Sequence, residues 1–404
     1  MSSRPGRTTR KEFLELGAAS AAFVSLGGRS SAEPREGTGS AQRRNHYKLF
    51  SEGRMARLRL KNRLVRAATA EGATPDGEVT DNLIELYKDL AEGGVGLIIT
   101  GHMAVASGGR ASKLQTCIYD DRHVRGIAKL ADVIHKAGDG CKVVAQINHA
   151  GMQGVDEPVG PSEAPSRGGR KLRVLSTEEV GELAAQYADA ARRTKEAGFD
   201  GVEVHAAHGY LLSSFLSPRT NRRTDKYGGS VQKRATVIKE IVGLVRRKVG
   251  DDFPILIKMN CVYRGSRSSD AEGFAGMAKE IEKAHVDTLE ISGANPVRMG
   301  IDSPDKESYF MESAEKLDLN IPVILTGGNR SVERLEQAFQ RGKVDFFGFA
   351  RPLIREPDLP NRWLEGTGGD TAKCISCNGC LRQLAEGPIY CVVEAAAARD
   401  LADS

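Results

Sequence analysis

Aromatic side chains are scarce in this 404-residue chain, which carries one tryptophan, Trp363, and 5% Phe, Trp and Tyr in total. Charge of one sign is also in short supply: 58 basic against 53 acidic residues leave a formal +5, and the basic residues are scattered with few rings between them. A nucleic-acid surface needs a concentrated basic patch and rings on which bases stack, so that class of partner is disfavoured. Long apolar runs are missing too. The small-residue segment 13–28 is interrupted by Glu15 and falls short of the ~20 residues that cross a bilayer. No Gly-x-Gly-x-x-Gly fingerprint follows a strand-like run, so no dinucleotide-binding βαβ unit can be read here. What is present is 40% hydrophobic residues, enough for a substantial core. Seven cysteines are present as well, four of them within the last 31 residues. A disulfide framework would spread them more evenly, so ligation is the better reading of that cluster.

The amino-terminal residues differ from the rest. Arg7, Arg10 and Lys11 precede the segment 13–28, and Ser30-Ser31-Ala32 follows it as a candidate cleavage site. Thr9-Arg10-Lys11-Glu12-Phe13-Leu14 resembles a twin-arginine export signal in which Lys11 stands for the second arginine. Residues 1–32 are therefore expected to direct export to the periplasm; as a plain amphipathic arm they would leave the protein in the cytoplasm. Residues 33–47, rich in Gly, Ser, Arg and Glu, read as linker.

From residue 60 onward, short β-branched runs alternate with longer segments of helical period, the pattern of βα units on a parallel sheet. Eight strands are expected, at Arg63–Thr69, Val95–Gly101, Lys142–Asn148, Gly201–Ala206, Pro254–Asn260, Thr288–Ser292, Pro322–Gly327 and Phe346–Arg351. Helices are expected at Asp81–Glu92, Thr177–Ala197, Val231–Val249 and Val332–Arg341. Eight such units suit an α/β fold of the TIM (β/α)8 barrel type, closed by a short C-terminal cysteine-rich extension.

Strand alternation points the same way. Toward the C-terminal ends of four strands, polar residues take every second position: Gln146 with Asn148, Glu203 with His205, Lys258 with Asn260, and Glu290 with Ser292. A period of two puts each pair on one face. Turned outward they would lie unpaired beneath helices at about 1–3 kcal/mol each, so they should converge inside the barrel mouth. Residues 150–176 are long enough to cap that mouth as a lid, and 262–269 form a shorter basic loop.

His205-Ala-Ala-His208-Gly-Tyr210 begins where a buried strand ends, which is where such barrels keep their chemistry. Two imidazoles, a phenol and a tight glycine turn are too polar for core and point to an enzyme. Further on, Cys374-Ile-Ser-Cys377-Asn-Gly-Cys380 and then Cys391 leave two, two and ten intervening residues. Four thiolates in a glycine-bearing loop can hold a [4Fe–4S] cluster or a zinc. Cys117, Cys141 and Cys261 have no ligand spacing and read as buried apolar positions.

Asn62-Arg63, Gln146-Ile147-Asn148-His149-Ala150-Gly151, the block from His205 to Ser230 with Tyr227-Gly228-Gly229-Ser230, and Thr326-Gly327-Gly328 together resemble the old yellow enzyme family of NADH:flavin oxidoreductases. The cysteine tail is similar to that of its 2,4-dienoyl-CoA reductase branch. The resemblance implies an FMN-binding barrel over 48–365 and an iron–sulfur tail over 366–404. Gly327, Gly328, Asn329, Ala350 and Arg351 would meet the phosphate, where bare amides and a guanidinium approach oxygens closely. Ala68, Thr69, Ala70, Gly101 and Gln146 match positions that contact the flavin ring. Lys258 matches a cation near its N1/C2 edge, which stabilises the anionic reduced form. His205 and His208 match the pair that binds the substrate carbonyl, and Tyr210 matches the proton donor. Arg222 and Arg223 are expected to fix their loop.

The chain also departs from the family pattern. Ala70 replaces a hydroxyl or thiol beside the flavin, and Ser214 stands where relatives often have a larger polar residue. The branch usually leaves three residues between its second and third cysteines, against two here; place in the chain still favours the cluster over zinc. The implied reaction is reduction of an activated C=C bond, in an enone or enoyl thioester, by hydride from FMN N5 and a proton from Tyr210. Electrons would come from NAD(P)H docking over the flavin, or from a redox partner protein through the cluster, a route that export would favour. One alternative is an amine dehydrogenase or demethylase, against which the shortage of rings for an alkylammonium cage counts. Another is a non-catalytic flavin and iron–sulfur electron-transfer module, which would not need His205, His208 and Tyr210.

Overall fold

The computed structural model describes residue 44 and residues 46–164, 169–262, 271–293, 301, 306–384 and 386–402. The expected signal at 1–32, most of the linker and the basic loop from 263 to 269 lie outside the described residues, as do four residues of the expected lid.

Eight strands close the barrel, β1 (Leu64–Arg66), β2 (Leu97–Ile99), β3 (Lys142–Asn148), β4 (Gly201–Ala206), β5 (Ile255–Val262), β6 (Thr288–Gly293), β7 (Val323–Thr326) and β8 (Phe346–Phe349), and a two-residue ninth, Met103–Ala104, pairs with the end of β3. Each pairs in parallel with the next, and β8 pairs with β1, so the sheet closes into the expected TIM barrel. The connecting helices are α1 (Asp81–Glu92), α2 (Val124–Ala137), α3 (Thr177–Glu196), α4 (Leu211–Leu216), α5 (Val231–Val249), α6 (Ala271–Glu282), α7 (Met311–Ala314) and α8 (Val332–Gln340). Local sequence starts them cleanly. Ser176 and Glu179 form a reciprocal capping box at α3, and the Thr80 side chain accepts from the Leu83 amide at α1; such caps contribute about 1 kcal/mol each. β1 is shorter than expected because Ala68 and Thr69 turn away from the sheet to line the mouth.

The barrel interior is layered. Its lower part is apolar: Val65, Leu97, Ile99, Val144, Leu256, Ile324 and Phe346 pack with Met55, Leu58 and Leu60 of an antiparallel hairpin, Gly53–Met55 against Leu58–Leu60. Burying side chains of this size contributes about 1.5–3 kcal/mol each before entropy is counted. Above them sit Gln146, Asn148, Glu203, His205, Lys258, Asn260, Glu290 and Ser292, none more than 2% exposed. Strand register sets Lys258 beside both His205 and Glu290, Gln146 beside Glu203, and Asn260 beside Ser292. Their apolar strand neighbours, Ala145, Ile147, Val202, Val204, Ile257 and Leu289, join the outer core under the helices. Cys117, Cys141 and Cys261 are buried, as expected.

After β8 the chain continues as α9 (Arg351–Arg355), α10 (Leu359–Glu365), α11 (Gly379–Gln383) and α12 (Val392–Ala402). This tail folds back onto the barrel: the Ile389 amide donates to the Glu71 carbonyl at 2.7 Å, and Arg355 pairs with Glu394 at 2.6 Å. Among the described residues no helix is long and apolar enough to cross a membrane.

Candidate active site

A cavity of about 1140 Å³ opens at the C-terminal ends of the strands, large enough for a flavin mononucleotide with a second ligand beside it. Ala68, Thr69, Ala70, His208, Tyr210, Lys258, Gly327, Gly328, Asn329, Ala350 and Arg351 all line it. Three expected contacts do not. His205 lies behind His208 and Tyr210, with ring centroids 5.1 and 5.0 Å away. Gln146 lies deeper and donates to Glu203 at 2.6 Å. The Gly101 amide donates to the Glu71 carboxylate at 2.8 Å.

The turn after β4 places the reacting groups. His208 has a left-handed backbone (φ 59°) that few residues adopt; its amide donates to Asn260 Oδ1 at 3.0 Å, which anchors the conformation. Gly209 (φ 74°) continues the turn, and Tyr210 becomes the N-cap of α4. His208 Nε2 lies 3.0 Å from Ser292 Oγ. Tyr210 is set between two imidazoles, its ring centroid 5.0 Å from that of His205 and 5.0 Å from that of His102.

All three histidines are held neutral. Burial lowers His208 to about 3 and His102 to about 4, and pushes His205 well below the ordinary imidazole range; the Lys258 charge adds to the effect in each. They are therefore N–H donors or lone-pair acceptors rather than cations. Beneath them Lys258 Nζ contacts Glu290 Oε1 at 2.7 Å. Glu203 beside it is raised well above the usual carboxylate range, by burial first and then by the neighbouring Glu290.

The opposite end of the cavity is made for an anion. Gly327 (φ 151°) and Gly328 (φ 75°) follow β7, and a Cβ at either would collide with a ring, Phe310 at 2.6 Å or Tyr309 at 2.5 Å. Only bare backbone fits, which suits close approach to phosphate oxygens. Arg351, on the same wall, donates to Tyr309 OH at 3.2 Å and to Asn378 Oδ1 at 2.8 Å. A guanidinium and bare main chain at the ends of β7 and β8, with a wide cleft leading to Lys258, fit an FMN phosphate and ring.

Residues 48–368 match the NADH:flavin oxidoreductase / NADH oxidase family. The chain belongs to that family. It is 38% identical to a metal reductase of Desulforamulus reducens and 38% identical to an NADH oxidase of Thermoanaerobacter brockii, in each case over 87% of this chain. It spans only 54% and 56% of those two relatives, about half their length. Among solved structures, 2-naphthoyl-CoA reductase in complex with 2-naphthoyl-CoA superposes with a TM-score of 0.79 at 29% identity, covering 86% of this chain and 56% of that one. The old yellow enzyme homologue of Zymomonas mobilis gives 0.69 at 27% identity, covering 82% and 99%.

The cysteine tail lies beyond the residues that the family model matches. Cys374, Cys377, Cys380 and Cys391 do not close on one point: among the described residues no three His, Cys, Asp or Glu side chains could hold a metal ion. The four cysteines expected to ligate a cluster or a zinc are therefore not gathered into a metal-holding group. The loop passes through left-handed Ser376 and Asn378 (φ 56° and 61°), and Cys377 between them is exposed while Cys380 is buried. Cys380 still senses the charges of the other three thiols, although burial is the larger cause of its raised value. Arg351 lies near both Cys374 and Cys380.

Several site residues escaped the sequence. His102, just beyond β2, touches Tyr210; Gln115 touches His102 beside the expected Asn148; Tyr309 closes over the phosphate end. A lone histidine directly after a barrel strand was the available signal for the first. Tyr309 had none, since it follows a stretch with no strand period. Trp363 is buried against Phe349, at 5.7 Å between centroids, and does not line the cavity. Arg223 fixes its loop as expected, pairing with Asp225 at 2.6 Å.

Proposed function

We propose that the protein is an FMN-dependent ene-reductase acting on an activated C=C bond in an enone or enoyl thioester. The observation that carries this reading is Tyr210 on the wall of the same cavity as His208 and Lys258, with an anion cradle at the other end. Likeness to a reductase holding an acyl thioester adds support for the thioester class.

Bound FMN would supply the hydride. The chain's own residues do the rest. Gly327, Gly328, Asn329 and Arg351 hold the phosphate, and Lys258 faces the ring with its charge balanced by Glu290. His208, neutral and tied to Ser292, offers an N–H to the substrate carbonyl without needing a counter-ion. His205 packs behind it and keeps that ring in place. Tyr210 then gives its phenolic proton to the carbon next to the carbonyl: its O–H bond breaks, a C–H bond forms, and water later restores the phenol.

For the tail we propose a [4Fe–4S] cluster on Cys374, Cys377, Cys380 and Cys391. What supports this reading is the Cys-x2-Cys-x2-Cys spacing with Cys391 following, and the cationic Arg351 near Cys374 and Cys380.

The test is anaerobic. Protein reduced with NADH, NADPH or dithionite should be reoxidised by enones or enoyl thioesters, whereas alkylamines should leave the oxidised flavin unchanged. Reoxidation by no alkene would overturn the reductase. About four iron and four acid-labile sulfide per chain support the cluster; zinc without sulfide overturns it.

A further inference from the structure

Tyr210 has a neighbour that the reaction so far leaves idle. His102 follows β2, is 8% exposed, and packs its ring against Tyr210 with Nε2 3.5 Å from the phenolic oxygen. Its tautomer is fixed from behind. Gln115 accepts from the Ala111 amide through Oε1 at 2.6 Å, so its Nε2 must be the donating end. That NH2 group spends its hydrogens on the His102 carbonyl at 2.8 Å and on His102 Nδ1 at 2.9 Å. Asn148 Nδ2 approaches the same Nδ1 at 3.0 Å. Nδ1 is thus a bare acceptor, and the ring hydrogen of neutral His102 resides on Nε2, aimed at Tyr210.

We infer that His102 is a positioning residue for Tyr210, held by Gln115 as an Nε2–H donor that receives the phenolate left when Tyr210 gives up its proton. His102 loses no proton itself. It keeps its N–H, and the hydrogen bond strengthens as charge appears on the oxygen, which is the moment at which a donor accelerates a step. The 3.5 Å separation is long for a resting hydrogen bond, as expected for a contact that tightens with charge. Burial keeps His102 neutral, and with Gln115 on Nδ1 the donor stays in place throughout the ordinary pH range. This inference rests on the proposed role of Tyr210 as acid.

The experiment separates half-reactions in the FMN-loaded enzyme. His102→Leu should slow flavin reoxidation by an enone on the order of 10- to 100-fold, the worth of a donor to a charged oxygen, and enlarge its solvent deuterium isotope effect. Flavin reduction by NADH should stay within about twofold of the parent, which also checks folding and FMN content. His102→Gln, which retains an N–H, should recover most of the loss. In a Tyr210→Phe background, His102→Leu should cost nothing further. Independently of flavin, nitrogen-15 histidine NMR of the FMN-free protein should show His102 as the Nε2–H tautomer. A slow Tyr210→Phe beside a parental-speed His102→Leu, additive losses in the double variant, or an Nδ1–H tautomer would each overturn the role of His102 alone. Tyr210→Phe at the parental rate would instead sink the acid, and the His102 donor with it.

Discussion

The barrel mouth and the cysteine tail are both built of polar, chemically active side chains, and they are held in opposite ways. In the mouth, four neighbouring strands deliver Gln146, Glu203, His205, Lys258, Glu290 and Ser292 by register, and each meets a partner in the next strand. Position there is a property of the sheet, so the groups are organised before any ligand arrives. The tail has no such frame. Its five-residue helix α11 and its left-handed loop leave Ile375 61% exposed, and its four thiols are grouped without closing. The proposed cluster would supply that order on binding. Arg351 spans the two regions, with Tyr309 on the cavity side and Asn378 on the tail side. The contrast teaches that chemistry should be robust in the mouth, and order conditional in the tail.

Tyr210→Phe should give the largest break. Removing a positioned acid costs ~10²- to 10⁴-fold, so enone reduction should fall by that factor while NADH still reduces the flavin and iron content is unchanged. Stopped-flow traces of the two half-reactions decide it. Equal slowing of both would mean that the mouth is less independent of the rest than its register implies.

Acid should attack the mouth before the tail. His102, His149 and His208 are held neutral, at about 4, 4 and 3, whereas the unfolded chain binds those protons near pH 6.5. Below that pH the unfolded state carries more protons, so stability falls as pH falls through 6.5 and toward the folded values, by up to ~1.4 kcal/mol per unit for each group. None of the eight histidines lies in the tail. Urea midpoints between pH 7.5 and 4.5 should decline steadily, and His102→Leu should flatten the decline. A flat profile in the parent would contradict the burial of these rings.

Gly328→Ala is expected to act more locally. A side chain at φ 75° is strained by about 1–2 kcal/mol, and its Cβ would press on Tyr309 at 2.5 Å. FMN should bind about tenfold more weakly, while iron binding in the tail stays at the parental level. Unchanged FMN affinity by fluorescence titration would mean that the phosphate lies elsewhere.

Much of the mouth was legible because strand period is a local signal. Lys142–Asn148 and Gly201–Ala206 could be delimited from apolar alternation alone, and the inward turn of Lys258 and Glu290 follows from the cost of burying them unpaired. What failed was reach. Gly101 has a backbone suited to a ligand, yet its amide is taken by Glu71, thirty residues earlier in the chain. His205 and His208 looked equivalent, but the left-handed turn at His208 sends one to the wall and leaves the other behind it. His102 depends on Gln115, Asn148 and Tyr210, contacts that only the closed barrel brings together. Spacing announced the four cysteines, while their separation depends on loop torsions at Ser376 and Asn378 that no periodicity encodes.

The smallest effect should come from the strap that ties tail to barrel. Arg355 pairs with Glu394 of α12 at 2.6 Å and donates to the Lys373 carbonyl, so it joins α9 to both ends of the cysteine segment. Glu394 is half exposed, and exposed pairs contribute at most about 1 kcal/mol. Arg355→Ala should therefore shift global stability by no more than that. Hydrogen exchange should quicken over residues 366–402 and stay unchanged over β3 to β6, because nothing in the strand register passes through Arg355. Enone reduction driven by dithionite should remain within about twofold of the parent. A loss on the scale of Tyr210→Phe would show instead that the tail sets the geometry of the mouth, with Arg351 as the connection, and the division between a self-ordered site and a conditional one would no longer hold.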